Sequence, residues 1–210
     1  MSLRPTTFRA GTVGLGAGAL AVAAAAVLVG ARVSGGDPEQ AQPAPPPATR
    51  TAAARVSSDD NKVYYTAADG QTNKVVITFT HNADFTTYTF TIRDDVAITS
   101  GAGCVHPDAT DRKLVACTST APGDEASDLT SLVVNLDDGD DRLKMDPAGP
   151  AYTEIFGGDG DDVLLGGGRD VFYGGNGDDR IEGGGGAYGE GANGGPGDDV
   201  LTGCGEYCHP

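Results

Sequence analysis

Acidic residues arrive in pairs at a fixed place in a repeating frame. Asp161-Asp162, Asp178-Asp179 and Asp198-Asp199 each follow a Gly-Gly-x-Gly turn, and each is followed by one large inward apolar residue, Leu164, Ile181 or Leu201. Neighbouring carboxylates repel, and at a few ångströms the energy is several kcal/mol per pair unless a counter-charge bridges them (on the order of 4 kcal/mol at an effective dielectric of 20). The glycines supply backbone angles that a Cβ would forbid and leave carbonyl oxygens bare. Carbonyl and carboxylate oxygens together are the ligand set a hard cation such as Ca²⁺ takes. Candidate ligands are therefore Gly157, Asp159, Asp161 and Asp162; Gly174, Asn176, Asp178 and Asp179; and Gly194, Asp198 and Asp199. Upstream, residues 136–144 lack the glycine pair but keep Gly139 and Leu143, and add Asp138, Asp140 and Asp141.

The elements that position these groups follow from the same frame. Residues 157–165, 174–182 and 194–202 each read as a six-residue turn and a three-residue strand, with the single apolar residue pointing inward as alternation requires. The intervening units are poorer: 166–173 is one residue short and keeps Asp170 and Phe172, while 183–193 is long and has only Glu190. Asp141, Asp162, Asp179 and Asp199 are separated by 21, 17 and 20 residues, each close to one double unit.

Over residues 136–202 the chain resembles the RTX, or haemolysin-type, calcium-binding repeats, of the kind found in secreted actinobacterial proteins. The resemblance implies an all-β, right-handed parallel β-roll (a β-solenoid) in which two nonapeptides make one coil. Loops two units apart would stack, with calcium between them. It further implies a column of up to three ions on one edge, and weak or no binding on the edge holding Asp170. Glycine-rich turns have much backbone entropy to lose and little apolar area to offset it, so the repeats are expected to order only with metal.

The remaining chain fits an exported protein. Residues 1–31 read as a secretory signal, with Arg4 and Arg9 before an apolar stretch at 11–31; left uncleaved, that stretch would be a membrane anchor. Residues 32–58, with Pro43, Pro45, Pro46 and Pro47, read as a disordered tether. Residues 59–131 read as strands at 63–66, 74–80, 86–92, 96–99 and 114–117, either the start of a continuous solenoid that caps the roll at 132–210 or a separate small sandwich. The formal charge of −16, from 14 basic and 30 acidic side chains, argues against nucleic acid or anionic membranes as partners. A component of the cell envelope remains a candidate partner.

Four cysteines suit an oxidising compartment. Local pairing, Cys104–Cys117 and Cys204–Cys208, is the simplest of three connectivities. Zinc held by Cys204, Cys208, His209 and Glu206 is the alternative for the terminal pair. No Gly-x-Ser-x-Gly elbow, His-Glu-x-x-His site or phosphate loop is present, and His81, His106 and His209 are isolated. The expectation is a non-catalytic, secreted calcium-binding protein. The alternatives are a surface adhesin or envelope spacer and, more distantly, a small hydrolase.

Overall fold

The computed structural model describes residues 51–56, 61–123, 129–145, 151–183, 191–204 and 208–210, all within one compact unit, Pro47–Pro210. The expected secretory signal, and the tether as far as residue 50, lie outside the described residues. Among the described residues there is no helix, and the strands form two 8-stranded sheets. The first sheet runs, in spatial order, β16 (Cys208–His209), β14 (Gly191–Asn193), β12 (Asp170–Asn176), β10 (Tyr152–Asp159), β8 (Thr130–Asn135), β2 (Val63–Thr66), β1 (Ala52–Val56), β5 (Ile98–Ser100). The second runs β15 (Val200–Thr202), β13 (Arg180–Glu182), β11 (Val163–Leu165), β9 (Arg142–Met145), β3 (Lys74–His81), β4 (Thr87–Arg93), β7 (Leu114–Thr120), β6 (Cys104–Val105).

From β8 onward the chain alternates between the sheets, so each strand pairs in parallel with the strand two elements later. Alternation along each strand sends every second residue into the space between the sheets. In the first sheet Tyr65, Val134, Ile155, Phe172 and Ala192 stand in register, and in the second Val75, Leu143, Leu164, Ile181 and Leu201 do so. All but Leu201 are buried. A three-residue strand such as β11 or β13 can offer only one inward side chain, which is why each repeat carries a single large apolar residue. The core thins toward Ala192 and the half-buried Leu201. There the Cys204–Cys208 disulfide, with Cys204 inside the core, supplies a covalent closure.

The lead-in shares both sheets rather than forming a separate sandwich. β2 pairs in parallel with β8, and β3 with β9. Beyond them the pairing changes: β1 is antiparallel to β2, and β3, β4, β7 and β6 form an antiparallel run. Phe79, Phe90, Ile92 and Val115 fill that end of the core. Cys104 and Cys117 are directly opposed across β6 and β7 and are bonded. The stretch 52–56, expected in the tether, is a strand between β2 and β5, because Ala52 is buried at 0 % exposure in that pairing. The parallel pattern also does not extend through the whole lead-in, where hairpins reverse it.

Candidate metal site: a stacked column of acidic turns

Every acid given as a candidate ligand falls on one edge, in the turns that carry the chain from the first sheet to the second. Turns 136–141, 157–162, 174–179 and 194–199 have the same length and lie one on another. The second position of each has positive φ: Asp137 (74°), Gly158 (117°), Gly175 (121°) and Gly195 (108°). Aspartate tolerates the left-handed region better than most side chains, which is how the first turn manages without glycine there. Stacking is tight enough that a Cβ on Gly175 would lie 1.9 Å from the Gly158 carbonyl oxygen.

The sixth-position aspartates knit the stack together. Asp141 N donates to Asp162 Oδ1 (2.8 Å), Asp162 N to Asp179 Oδ1 (2.9 Å) and Asp179 N to Asp199 Oδ1 (2.9 Å). An outer ladder of fifth-position acids runs with opposite polarity: Asp161 N donates to Asp140 Oδ1 (3.0 Å), Asp178 N to Asp161 Oδ1 (2.8 Å) and Asp198 N to Asp178 Oδ1 (2.9 Å). At the third position Asn176 Nδ2 donates to Asp159 Oδ1 (2.7 Å).

The inner acids are only half satisfied. Asp141, Asp162 and Asp179 are each 1 % exposed, and their Oδ2 atoms, like that of Asp199, have no hydrogen-bond partner. Burial pushes the carboxyls of Asp141 and Asp162 up to about 7 against the pull of one backbone N–H each, with neighbouring acids adding to the rise. Burial likewise raises Asp179. A buried carboxylate oxygen without a donor carries a desolvation cost that a bound cation would remove.

The first-position glycines make room for these oxygens. A Cβ on Gly157 would stand 2.2 Å from Asp162 Oδ2 and 2.4 Å from the carbonyl oxygen of Gly174 in the next turn. On Gly174 it would stand 2.1 Å from Asp179 Oδ2 and 2.5 Å from the Gly194 carbonyl oxygen. In two successive intervals, then, a carboxylate oxygen from one turn and a carbonyl oxygen from the next converge on the space that glycine leaves. At Gly194 the three nearest atoms all belong to Asp199. The acids form a column rather than a cage: among the described residues no three His, Cys, Asp or Glu side chains gather as a metal-holding group. Ligation here would combine one inner carboxylate per turn with backbone carbonyls, a donor set that fits a hard, oxygen-seeking ion.

The opposite edge is built differently. Asp170 Oδ2 accepts from Gly167 N (2.6 Å) and Gly168 N (3.2 Å) of its own turn, although burial still raises its carboxyl. Residues 184–190, with Glu190, lie outside the described residues. The zinc alternative is not met, since Cys204 and Cys208 are joined to each other. His81 stacks on Phe85 with centroids 3.9 Å apart, and His106 Nδ1 lies 2.8 Å from the Leu114 carbonyl oxygen.

Sequence reasoning missed a fifth turn, 67–73, which precedes the acidic stack. Asn73 N donates to Asp141 Oδ1 (2.7 Å), continuing the inner ladder. Behind it the buried Asp94 carboxylate is fully partnered, by Lys74 N (2.9 Å), Asp95 N (2.6 Å), Asn73 Nδ2 (2.6 Å) and the Tyr65 hydroxyl. A signal was present: Asn73-Lys74-Val75 mirrors Asp141-Arg142-Leu143 in polar, basic and apolar character. No protein-family model matches the chain, and comparisons with curated proteins and with solved structures found no match.

Proposed function

We propose that this chain is a non-catalytic, secreted calcium-binding protein of the RTX type, whose repeats form a right-handed parallel β-roll stabilised by ions between stacked turns. The observation that carries the reading is the inner column. Asp141, Asp162 and Asp179 each spend one oxygen on the neighbouring turn's N–H and keep the other buried without a donor. In a chain of net charge −16, such a column is a standing electrostatic load that a divalent cation converts into cross-linking. Asp162, Asp179 and the carbonyls of Gly174 and Gly194 would hold the ion in the two intervals where the oxygens converge. The outer acids Asp140, Asp161, Asp178 and Asp198 would add negative potential and hold water around the ion. Bound calcium supplies charge neutralisation and bridging. The chain supplies the register, through its N–H to Oδ1 ladder, and the apolar column behind it. Extracellular calcium is millimolar, in the range where weak oxygen sites fill.

The test is circular dichroism of the chelated full chain during a calcium titration, with a magnesium control. Calcium should raise the β signal to a plateau and raise the unfolding midpoint. A protein equally ordered in EDTA and in millimolar calcium would refute the reading.

A further inference from the structure

The ladder of stacked turns begins one turn before the first acidic unit, and the joint between them has its own unmet oxygens. Gly70 N donates to the Asp138 carboxylate and Asn73 N to Asp141 Oδ1 (2.7 Å), so turn 67–73 sits on turn 136–141 as the acidic turns sit on one another. Asn73 is fully buried, at 0 % exposure, yet its amide is half used. Nδ2 donates to Asp94 Oδ2 (2.6 Å) and contacts the Tyr65 hydroxyl (3.3 Å). The oxygen of a planar amide points away from its nitrogen, so Oδ1 is turned away from Asp94. Asn73 Oδ1 and Asp141 Oδ2 are both buried and both lack a donor. Asp94, whose own lone pairs are all met, keeps the local potential negative without competing as a ligand.

We infer that this interval is a further divalent-cation site, in which Asn73 Oδ1 and Asp141 Oδ2, with the Asp138 carboxylate on the outer side, clamp the strand-rich lead-in to the acidic repeats. Amide and carboxylate oxygens select a hard ion, calcium before zinc or copper. The site lies outside the glycine-rich frame and rests on the proposed function for the identity of the ion. A water donating to both oxygens is the competing occupant.

Ions bound to the full chain would be counted by native mass spectrometry in calcium, for the unaltered protein, Asn73→Ala and Asn73→Asp. The inference expects Asn73→Ala to lose one ion while the remaining ions stay bound. An unchanged count in Asn73→Ala overturns it. Should Asn73→Ala fail to fold, Asn73→Asp decides, because a carboxylate there strengthens a cation site but adds an unmet charge to a metal-free joint. A larger calcium-induced rise in unfolding midpoint than the unaltered protein shows supports the clamp; an equal or smaller rise overturns it. If the unaltered protein binds no calcium, the functional reading itself fails, a result distinct from an Asn73-independent count.

Discussion

Asp162→Asn should stabilise the metal-free protein and lose that gain in calcium. Burial carries the Asp162 carboxyl from 3.8 to about 7. A carboxyl whose folded value is raised leaves the fold unpenalised below its unfolded value near 4, penalises it increasingly as the pH climbs toward 7, and holds it at full penalty above that. The gap from 3.8 to about 7 corresponds to roughly 4 kcal/mol. Asparagine keeps an oxygen to accept from Asp141 N and removes the charge, but buries an NH₂ in place of Oδ2, which costs about 1–3 kcal/mol if unpaired. In EDTA near pH 8 the variant should therefore gain on the order of 1–3 kcal/mol. In calcium that gain should be offset, because a charged ligand shared between turns is lost. A ten- to hundredfold weaker affinity corresponds to about 1.4–2.8 kcal/mol. Urea unfolding followed by circular dichroism, in EDTA and in millimolar calcium, near pH 8 and near pH 5, measures all four conditions. The gain in EDTA should disappear near pH 5, where the penalty on the native aspartate has fallen to roughly 1.5–2 kcal/mol and is offset by the cost of the buried NH₂. A variant destabilised equally in EDTA and calcium would refute the argument that the column is held by charge neutralisation.

The same raised carboxyls of Asp141 and Asp162 make the metal-free protein gain order on acidification from about pH 8 to 5, while calcium affinity falls over that window as protons compete; circular dichroism and isothermal titration read the two effects. Gly174→Ala should weaken calcium binding sharply, since its Cβ would stand 2.1 Å from Asp179 Oδ2, whereas Gly123→Ala, with nothing within 4 Å, should leave the titration unchanged. Asp170→Asn should leave calcium affinity untouched, because its Oδ2 is held by Gly167 and Gly168 N–H groups, while Asp179→Asn should lower it; equal losses would contradict a one-edged site. Phe172→Ala, 1 % exposed in the core, should cost about 3–5 kcal/mol in calcium, and Tyr173→Ala, stacked outside on Phe156, under about 1.5 kcal/mol by urea unfolding.

How far the fold could be read from sequence depended on which interactions are local. The strand at 63–66 was legible to the residue, and those at 74–81 and 87–93 to within one, because β-branched and aromatic residues alternate with polar ones and Asp, Asn or Gly mark the turns. β1 was not legible, since Ala52, Ala53 and Ala54 have no strand preference and become a strand only by pairing with β2 and β5. The two-residue β6 was not legible, although the Cys104–Cys117 pairing that sets it against β7 was, because two residues show no alternation. The reversal to antiparallel pairing at β3–β4 is set by the hairpin at 82–86, where Asn82 Oδ1 accepts from Thr86 N and Thr87 N; the sequence shows a turn there but not which neighbour the next strand takes.

At the candidate site the reverse holds: the repeat frame located the acidic turns and even their one-sidedness, but not their two unlike oxygens. The gaps of 21, 17 and 20 residues between the inner acids are those that the N–H to Oδ1 bonds span. The gaps differ because the connections on the other edge differ in length, while the six-residue turns do not, so register is conserved where carboxylates must meet N–H groups and is free to vary where nothing is bridged. That constraint explains why Asn73 escaped notice. Its turn has seven residues rather than six and none of the glycine pairs, yet the backbone of β3 is held parallel to β9 by Val75 and Leu143 in the core. A column of ligands built on a sheet extends as far as the sheet's register does, not as far as the motif that first reveals it.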